Sequence, residues 1–344
     1  ARRADAAVPY MSMCMTHPLV ALVALYAGAL GLKLLLLPAY RSTDFEVHRH
    51  WMALTAKLPF DNWYLDETSE WTLDYPPLFA WFERLLACGG ERVEPQMLTL
   101  SAVPYVSAAT VAYQRCSVIA FDLLLLGGAA SLAVSLAPAA TQRVKPRAAA
   151  SHWRWLVPTA LSFCDAGALL VDHVHFQYNG PMIGLLLLSC AALVRGRQLA
   201  AAALFAVLLN LKHLFLFAAP FFFSHLLAAH VLRRPAPRIA AAVAESAGAA
   251  NCAGGGRGAV ARFAALAALV LAVFGVSFGP FAAAGQLGAV LRRLFPFGRG
   301  LVHAYWAPNL WALYVASDTL LAAAARRTGL ALAAAPAAAA ATGG

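Results

Sequence analysis

Residues 18–37 read PLVALVALYAGALGLKLLLL, an apolar run of the length that an α-helix needs to cross the hydrocarbon core of a bilayer. No clear small-residue cleavage site follows the run, so we expect a retained signal anchor. A polar segment comes directly after it, where residues 42–51 read Ser-Thr-Asp-Phe-Glu-Val-His-Arg-His-Trp. Ionisable groups beside a bilayer are costly unless they are used, so this segment is the first place to look for function.

The composition of the chain indicates a membrane protein. Hydrophobic residues make up 61% and charged residues 12%, and the mean hydropathy is +0.67, which no ordinary soluble domain reaches. We expect an all-α, polytopic helical protein in which residues 1–320 form a single transmembrane module and residues 321–344 an alanine-rich tail. About eight spans are predicted, near residues 18–37, 116–137, 155–171, 180–194, 198–211, 213–231, 259–279 and 309–325.

The charges predict the orientation of these spans. The net charge of +10 does not indicate a nucleic-acid partner, because the basic residues form no continuous patch. They fall at span ends in alternate connections, as the positive-inside rule requires of cytosolic loops. Acidic residues concentrate in the first loop on the opposite side, residues 38–115. This loop is therefore predicted to be extracytosolic, and it is large enough to hold helices of its own.

The polar motifs are all predicted to lie on the same side as that loop. They occupy residues 42–51, 74–77, 172–179, 210–213 and 292–309. Because they share one face of the membrane, we expect one composite site built from several loops. Asp122 and Asp165 lie inside predicted spans, where an isolated carboxylate is expensive and is expected to be paired or neutral.

Four of these motifs, in the same order, resemble the endoplasmic-reticulum glucosyltransferases that use dolichyl-phosphate glucose. They are Asp44-Phe45-Glu46-x-His48-Arg49-x-Trp51, Trp71-Thr72-Leu73-Asp74-Tyr75-Pro76-Pro77, His173-x-His175-Phe176-Gln177-Tyr178-Asn179 and Leu294-Phe295-Pro296-Phe297-x-Arg299-Gly300. The resemblance implies a multi-pass protein of the GT-C type in the endoplasmic-reticulum membrane, with a lumenal active site and a role in N-linked glycosylation. It also implies further spans beyond residue 320, because members of that family are usually longer.

The implied partners are membrane lipid, the donor dolichyl-phosphate glucose and a dolichyl-diphosphate-linked oligosaccharide acceptor, with no cofactor. Within the family, Ser42-Thr43, Val47-His48 and residues 303–309 are similar to the enzyme that adds the second glucose, an α-1,3 residue. Two alternatives stay open: the related enzyme that adds the first glucose, and a non-catalytic or transport protein for lipid-linked sugars. A transporter predicts ionisable residues near the bilayer midplane and repeat symmetry, and neither is visible in the sequence.

The implied reaction inverts the anomeric centre, since it moves glucose from a β-linked lipid phosphate into an α-linkage. One in-line displacement needs a base for the attacking hydroxyl and cations for the departing phosphate. Asp44 is the predicted catalytic base. In a helix, Asp44 and His48 share a face while Glu46 points elsewhere, so Asp44 and His48 are the expected pair. The structural alternative for Asp44 is that it only caps a helix.

The other site residues are predicted to bind substrate. Arg299 and His303 are preferred for the phosphate, with Lys212 and His213 as second candidates, although Lys212 is as well explained by snorkelling to the interface. The remaining predicted substrate-binding residues are His48, Arg49, Asp74, His173, His175 and Gln177. The histidines include metal-ligand types, but no spacing is diagnostic and the resembled enzymes work without a bound metal, so we predict none.

Overall fold

A computed structural model describes residues 18–137, 148–233, 256–296 and 309–328. The regular elements within these ranges are all helices, which confirms the predicted all-α class. The chain divides into two units, Ala1–Leu294 and Phe295–Gly344. The expected module over residues 1–320 and tail over 321–344 stay predictions.

In chain order the α-helices of eight or more residues described in the first unit are α1 (Pro18–Leu35), α2 (Thr43–Lys57), α3 (Pro77–Val93), α4 (Ala108–Leu136), α5 (Ala148–Phe163), α6 (Asn179–Val194), α7 (Gln198–Leu211), α8 (Ala219–Leu226), α9 (Gly256–Ala283) and α10 (Leu287–Leu294). A single α-helical turn, Ala166–Ala168, follows α5. The helix described in the second unit is α11 (Asn309–Thr328). Two π-helices, Leu169–Phe176 before α6 and Leu227–Val231 after α8, interrupt the α-helical pattern. Short 3-10 helices occupy Phe60–Asn62, Pro95–Leu98 and His213–Ala218.

The protein is a multi-pass membrane protein. Within the described ranges, four helical stretches are long and apolar enough to cross a membrane: Ala108–Leu136, Arg154–Phe176, His213–Val231 and Gly258–Ala283. Three shorter apolar helices lie at Leu19–Leu35, Asn179–Val194 and Gln198–Leu211. These seven stretches coincide with predicted spans, and the eighth predicted span coincides with α11, which is less apolar and carries Asp318 and Arg327.

The largest difference in bounds is at α4, which begins at Ala108 and not near residue 116. Gln114 and Arg115 do not end the apolar helix, because both are buried and have partners inside the protein. Gln114 donates to the carbonyl of Phe45 at 3.1 Å, and the Arg115 guanidinium donates to the carbonyl of Leu36 at 2.9 Å. Internal acceptors thus replace the water that these polar groups would otherwise need.

The centre of the first unit is the contact between α4 and α6. A Cβ built on Gly128 would collide with the backbone of Gly184, and one on Gly184 would collide with the backbone of Leu124. Small residues at such contacts let membrane helices approach closely. Beside them, Leu125 and Phe163 form a buried cluster with residues of α1. This packing fixes the ends of the spans, where the polar motifs lie.

The first loop contains α2 and α3 and has a core of its own. Ser42 caps α2, because its hydroxyl accepts a hydrogen bond from the backbone N–H of Asp44 at 3.2 Å. The helix ends at Lys57, and the following Leu58 is extended ahead of Pro59, as a residue before proline prefers. Trp51, Met52, Leu54, Phe79 and Met97 are almost completely buried between these elements. The expectation that this loop holds helices is confirmed.

Candidate functional site

Asp44 lies in the first turn of α2, and its side chain is 27% exposed. Its Oδ2 lies 3.1 Å from His175 Nε2 and also accepts a hydrogen bond from Gln177 Nε2. The Ser42 hydroxyl donates to the backbone carbonyl of His175, which ties the start of α2 to the same segment. His175 and Gln177 follow Asp44 by 131 and 133 positions in the sequence, and the fold brings both side chains to the same carboxylate oxygen.

The segment that carries His175 and Gln177 has an unusual backbone. It ends the π-helix, and Phe176 has a positive φ of 85°. A bulky residue in this region stores strain of about 1–3 kcal/mol, which persists only where the surroundings enforce it. The Phe176 ring is completely buried and packs edge-on against Phe45 and His48, with centroids 5.2 and 5.4 Å apart. With Phe176 held in the core, the residues on either side of it both reach Asp44.

A chain of side chains continues from Gln177 to a buried lysine. Gln177 Oε1 accepts from Asn179 Nδ2 at 2.6 Å, and Asn179 Oδ1 accepts from Lys212 Nζ at 2.7 Å. The Asp172 carboxylate accepts from the backbone N–H and from the side-chain amide of Asn179, both at 3.1 Å. Sequence reasoning named Asn179 only as part of a motif and gave it no role. Its hydrogen bonds with the side chains of Asp172, Gln177 and Lys212 make it the centre of this network.

Lys212 lies in the turn between α7 and the following 3-10 helix, and only 8% of it is exposed. Burial lowers the pKa of Lys212, whereas the nearby carboxylates of Asp172, Asp44 and Asp74 raise it again. Its ammonium also stands 5.2 Å from the centre of the Tyr75 ring. Burial raises the pKa of the Tyr75 phenol, with Asp74 and Asp44 adding to the effect. Negative charges therefore surround the lysine, which does not simply snorkel to an interface.

His48 has a different partner from the one predicted. Its Nδ1 lies 2.6 Å from Glu83 Oε1, and both side chains are buried. The expected Asp44–His48 pair is therefore wrong: the two residues share a face of α2, but His48 is one turn deeper and its ring enters an aromatic cluster. That cluster consists of Trp51, Tyr75, Phe79, Phe176 and Tyr178. Burial raises the pKa of Glu83, and its hydrogen bond with His48 opposes the rise.

Arg49 is fully buried and joins α2 to the segment after α3. Its guanidinium donates to Glu46 Oε1 and Oε2 at 2.6–2.9 Å and to the backbone carbonyl of Met97 at 2.7 Å. Glu46 also accepts from the backbone N–H of Tyr105 at 3.3 Å. These contacts are structural, and the predicted substrate contact of Arg49 stays a prediction.

His173 belongs to a second, buried group of charges. Its Nε2 lies 2.8 Å from Asp122 Oδ2, which also accepts from Lys33 Nζ at 2.7 Å. The expectation that Asp122 is paired is confirmed. Asp165 caps a short helix by accepting from the backbone N–H of Ala168 at 2.8 Å. Lys33, Asp122 and His173 line a cavity of about 50 Å³, which has room for a water molecule.

The other predicted site residues are less closely tied to Asp44. Asp74 is half-buried, and its carboxylate is near enough to Lys212 to favour the charged form of the lysine. His213 directly follows Lys212 in the chain. Arg299 and His303 lie outside the described residues. Within the ranges that the structure describes, no three histidine, cysteine or acidic side chains are grouped as metal ligands would be.

The fold and the site define a class: multi-pass helical membrane proteins in which a large loop meets the ends of the spans at a polar site. The chain belongs to the ALG6, ALG8 glycosyltransferase family, whose profile matches residues 29–343. The resemblance drawn from the four motifs is thereby confirmed.

Several curated proteins with closely similar names resemble this chain in sequence. The chain is 47% identical over 294 residues to the probable dolichyl pyrophosphate Glc1Man9GlcNAc2 alpha-1,3-glucosyltransferase of Drosophila melanogaster, a match that covers 86% of this chain and 52% of that protein. It is 43% identical over 305 residues to the enzyme so named in Arabidopsis thaliana, covering 88% and 53%. The Mus musculus relative is 42% identical over 301 residues, covering 87% and 53%. The chain spans about half the length of these relatives.

Proposed function

We propose that the protein is an inverting α-1,3-glucosyltransferase of N-linked glycosylation. It moves glucose from dolichyl-phosphate glucose to a dolichyl-diphosphate-linked oligosaccharide that already carries one glucose. The relatives' names support this acceptor and linkage, since they specify Glc1Man9GlcNAc2 and alpha-1,3. We place the enzyme in the endoplasmic-reticulum membrane with its site on the lumenal side, where the distribution of arginines predicts that the polar loops lie.

The observation that carries the proposal is the environment of Asp44. His175 and Gln177 both contact its Oδ2, so the carboxylate is held in one orientation while about a quarter of its surface stays exposed. We assign the other oxygen of the Asp44 carboxylate, Oδ1, as the proton acceptor. A base must lie within hydrogen-bond reach of the acceptor hydroxyl, and a fixed, partly exposed carboxylate at the mouth of the site meets that need.

The reaction is a single displacement. The acceptor O3 attacks the anomeric carbon of glucose, and Asp44 takes the hydroxyl proton as the new C–O bond forms. The bond from that carbon to the phosphate oxygen breaks, and its electron pair leaves with dolichyl phosphate. Cations opposite the base stabilise the growing negative charge on the phosphate. The sequence favours Arg299 and His303 for this role, and Lys212 and His213 are the candidates among the described residues.

Two competing explanations of the acidic residues are weaker. Capping does not account for Asp44, because Ser42 is the N-cap of α2. Glu46 is a poor base, because the buried Arg49 guanidinium already occupies both of its carboxylate oxygens. Asp44 instead receives hydrogen bonds from an amide and an imidazole and is open to an acceptor.

The test is transfer of glucose from synthetic dolichyl-phosphate glucose by the full-length protein. Asp44→Asn keeps the size of the side chain and an oxygen for Gln177, but it cannot take a proton. We expect it to fold and bind donor, and to lose ~10²–10⁴ in turnover. Glu70→Gln, a change of an exposed carboxylate in the same loop, is the control and should transfer normally. Near-normal turnover by Asp44→Asn would show that the base lies elsewhere.

The choice of acceptor separates the alternatives in the same assay. We expect transfer to the oligosaccharide that carries one glucose and not to the unglucosylated one. The reverse preference would identify the enzyme of the first glucose. A protein that moves lipid-linked sugar across vesicles but forms no glycosidic bond would be a transporter.

A further inference from the structure

We propose that Asn179 is a positioning residue that makes Gln177 present its N–H, and not its carbonyl oxygen, to Asp44. This inference rests on the proposed function of Asp44 as the base. Asn179 touches neither Asp44 nor, in this arrangement, the reacting atoms; it acts through Gln177. The argument follows from which atoms in the network are able to donate.

The orientation of the Asn179 amide is fixed from two sides. Lys212 carries an ammonium group, which has donors only, so the Asn179 atom 2.7 Å from it must be the oxygen. The Asp172 carboxylate accepts, so the Asn179 atom 3.1 Å from it must be the nitrogen. Amide orientations are assigned from such networks, and here a cation and an anion at opposite ends give the same answer.

The fixed Asn179 then determines the direction of the next amide. Its Nδ2 has a second hydrogen, which goes to Gln177 Oε1 at 2.6 Å. With the oxygen of Gln177 committed to Asn179, its Nε2 faces Asp44 Oδ2. The two ends of the Gln177 amide are nearly equal in shape, so without Asn179 the oxygen is free to turn towards Asp44. A carbonyl oxygen there would repel the carboxylate of Asp44 and turn it away from the orientation that the acceptor hydroxyl needs.

The test is kcat for Asn179→Ala, Gln177→Ala and the double variant in the full-length protein. We expect kcat of Asn179→Ala to fall about 10- to 100-fold, the worth of one hydrogen bond to a charged group, with KM for dolichyl-phosphate glucose within about twofold of wild type. Gln177→Ala should lose a similar factor and the double variant little more, because Asn179 acts through Gln177. Asn62→Ala, at an exposed asparagine of the first loop, is the matched control and should change neither kcat nor KM.

Losses in kcat that multiply in the double variant would mean that Asn179 acts independently of Gln177, and they would overturn the inference. A second measurement does not depend on activity: the melting temperatures of Asp44→Ala, Asn179→Ala and the double variant. If the residues are coupled through Gln177, the double variant melts higher than the sum of the two losses predicts. Additive losses would overturn the proposed role of Asn179 even if the protein transfers glucose normally. If the two residues are coupled but the protein transfers no glucose, only the proposed function is overturned.

Discussion

Asp44 and Glu46 lie two residues apart in the first turn of α2, and their surroundings differ in kind. A buried arginine holds Glu46, while Asp44 receives hydrogen bonds from His175 and Gln177 and keeps an exposed face. Helical spacing was enough to separate the two carboxylates in the sequence. The partners were not predictable, because they come from segments that are distant in the chain. The chemistry of these two carboxylates depends on their tertiary contacts and not on the residues next to them in the sequence.

At the same scale, Glu83 is the buried carboxylate whose role a substitution can test. Its hydrogen bond to His48 lies inside an aromatic cluster, so Glu83→Ala leaves an imidazole without its partner. We expect a loss of about 3–5 kcal/mol in the free energy of unfolding, measured in detergent. Glu83→Gln still offers an oxygen or an N–H to His48 and should lose much less. Equal losses for the two variants would mean that the carboxyl group itself is required, because glutamine keeps both the volume and a hydrogen-bonding group.

At the scale of elements, hydropathy predicted where the apolar helices lie, because seven predicted spans coincide with apolar helical stretches. It did not predict the start of α4, where the internal partners of Arg115 replace solvent. Nor did it predict the π-helix before α6 or the positive φ of Phe176. A π-helix has no hydropathy signature of its own, and strain at one residue depends on the packing around it. The site's loops were therefore foreseeable, but the pairing of their side chains was not.

The contact between α4 and α6 gives a matched pair of substitutions in adjacent residues. A Cβ at Gly128 would collide with the backbone of Gly184, whereas a Cβ at Gly127 would have nothing within 4 Å. We expect Gly128→Ala to lower the free energy of unfolding by about 1–3 kcal/mol, because two backbones must separate. Gly127→Ala should be neutral or stabilise by up to about 1 kcal/mol, through its better helix propensity. Thermal unfolding in detergent measures both, and similar melting temperatures would contradict the close approach.

At the scale of the whole molecule, the proposed site requires that the first loop and the segment before α6 face the same compartment. Asp44 and His175 could not otherwise meet. We expect an engineered N-glycosylation acceptor near residue 60 to be modified in cells and one near residue 145 to stay unmodified. Gel mobility before and after deglycosylation reads both. Modification near residue 145 alone would show the opposite orientation, and with it a site on the cytosolic side.

α1 leaves the ribosome before α4, and it carries Lys33 near its end, where a long side chain can reach the lipid headgroups. Asp122 follows 89 residues later, at the midpoint of α4, where a lone carboxylate opposes insertion by about 2.5–3.5 kcal/mol. The ammonium group is already in the membrane when that carboxylate arrives. We therefore expect α1 to act as an intramolecular chaperone, which retains α4 at the translocon until the two charges have met.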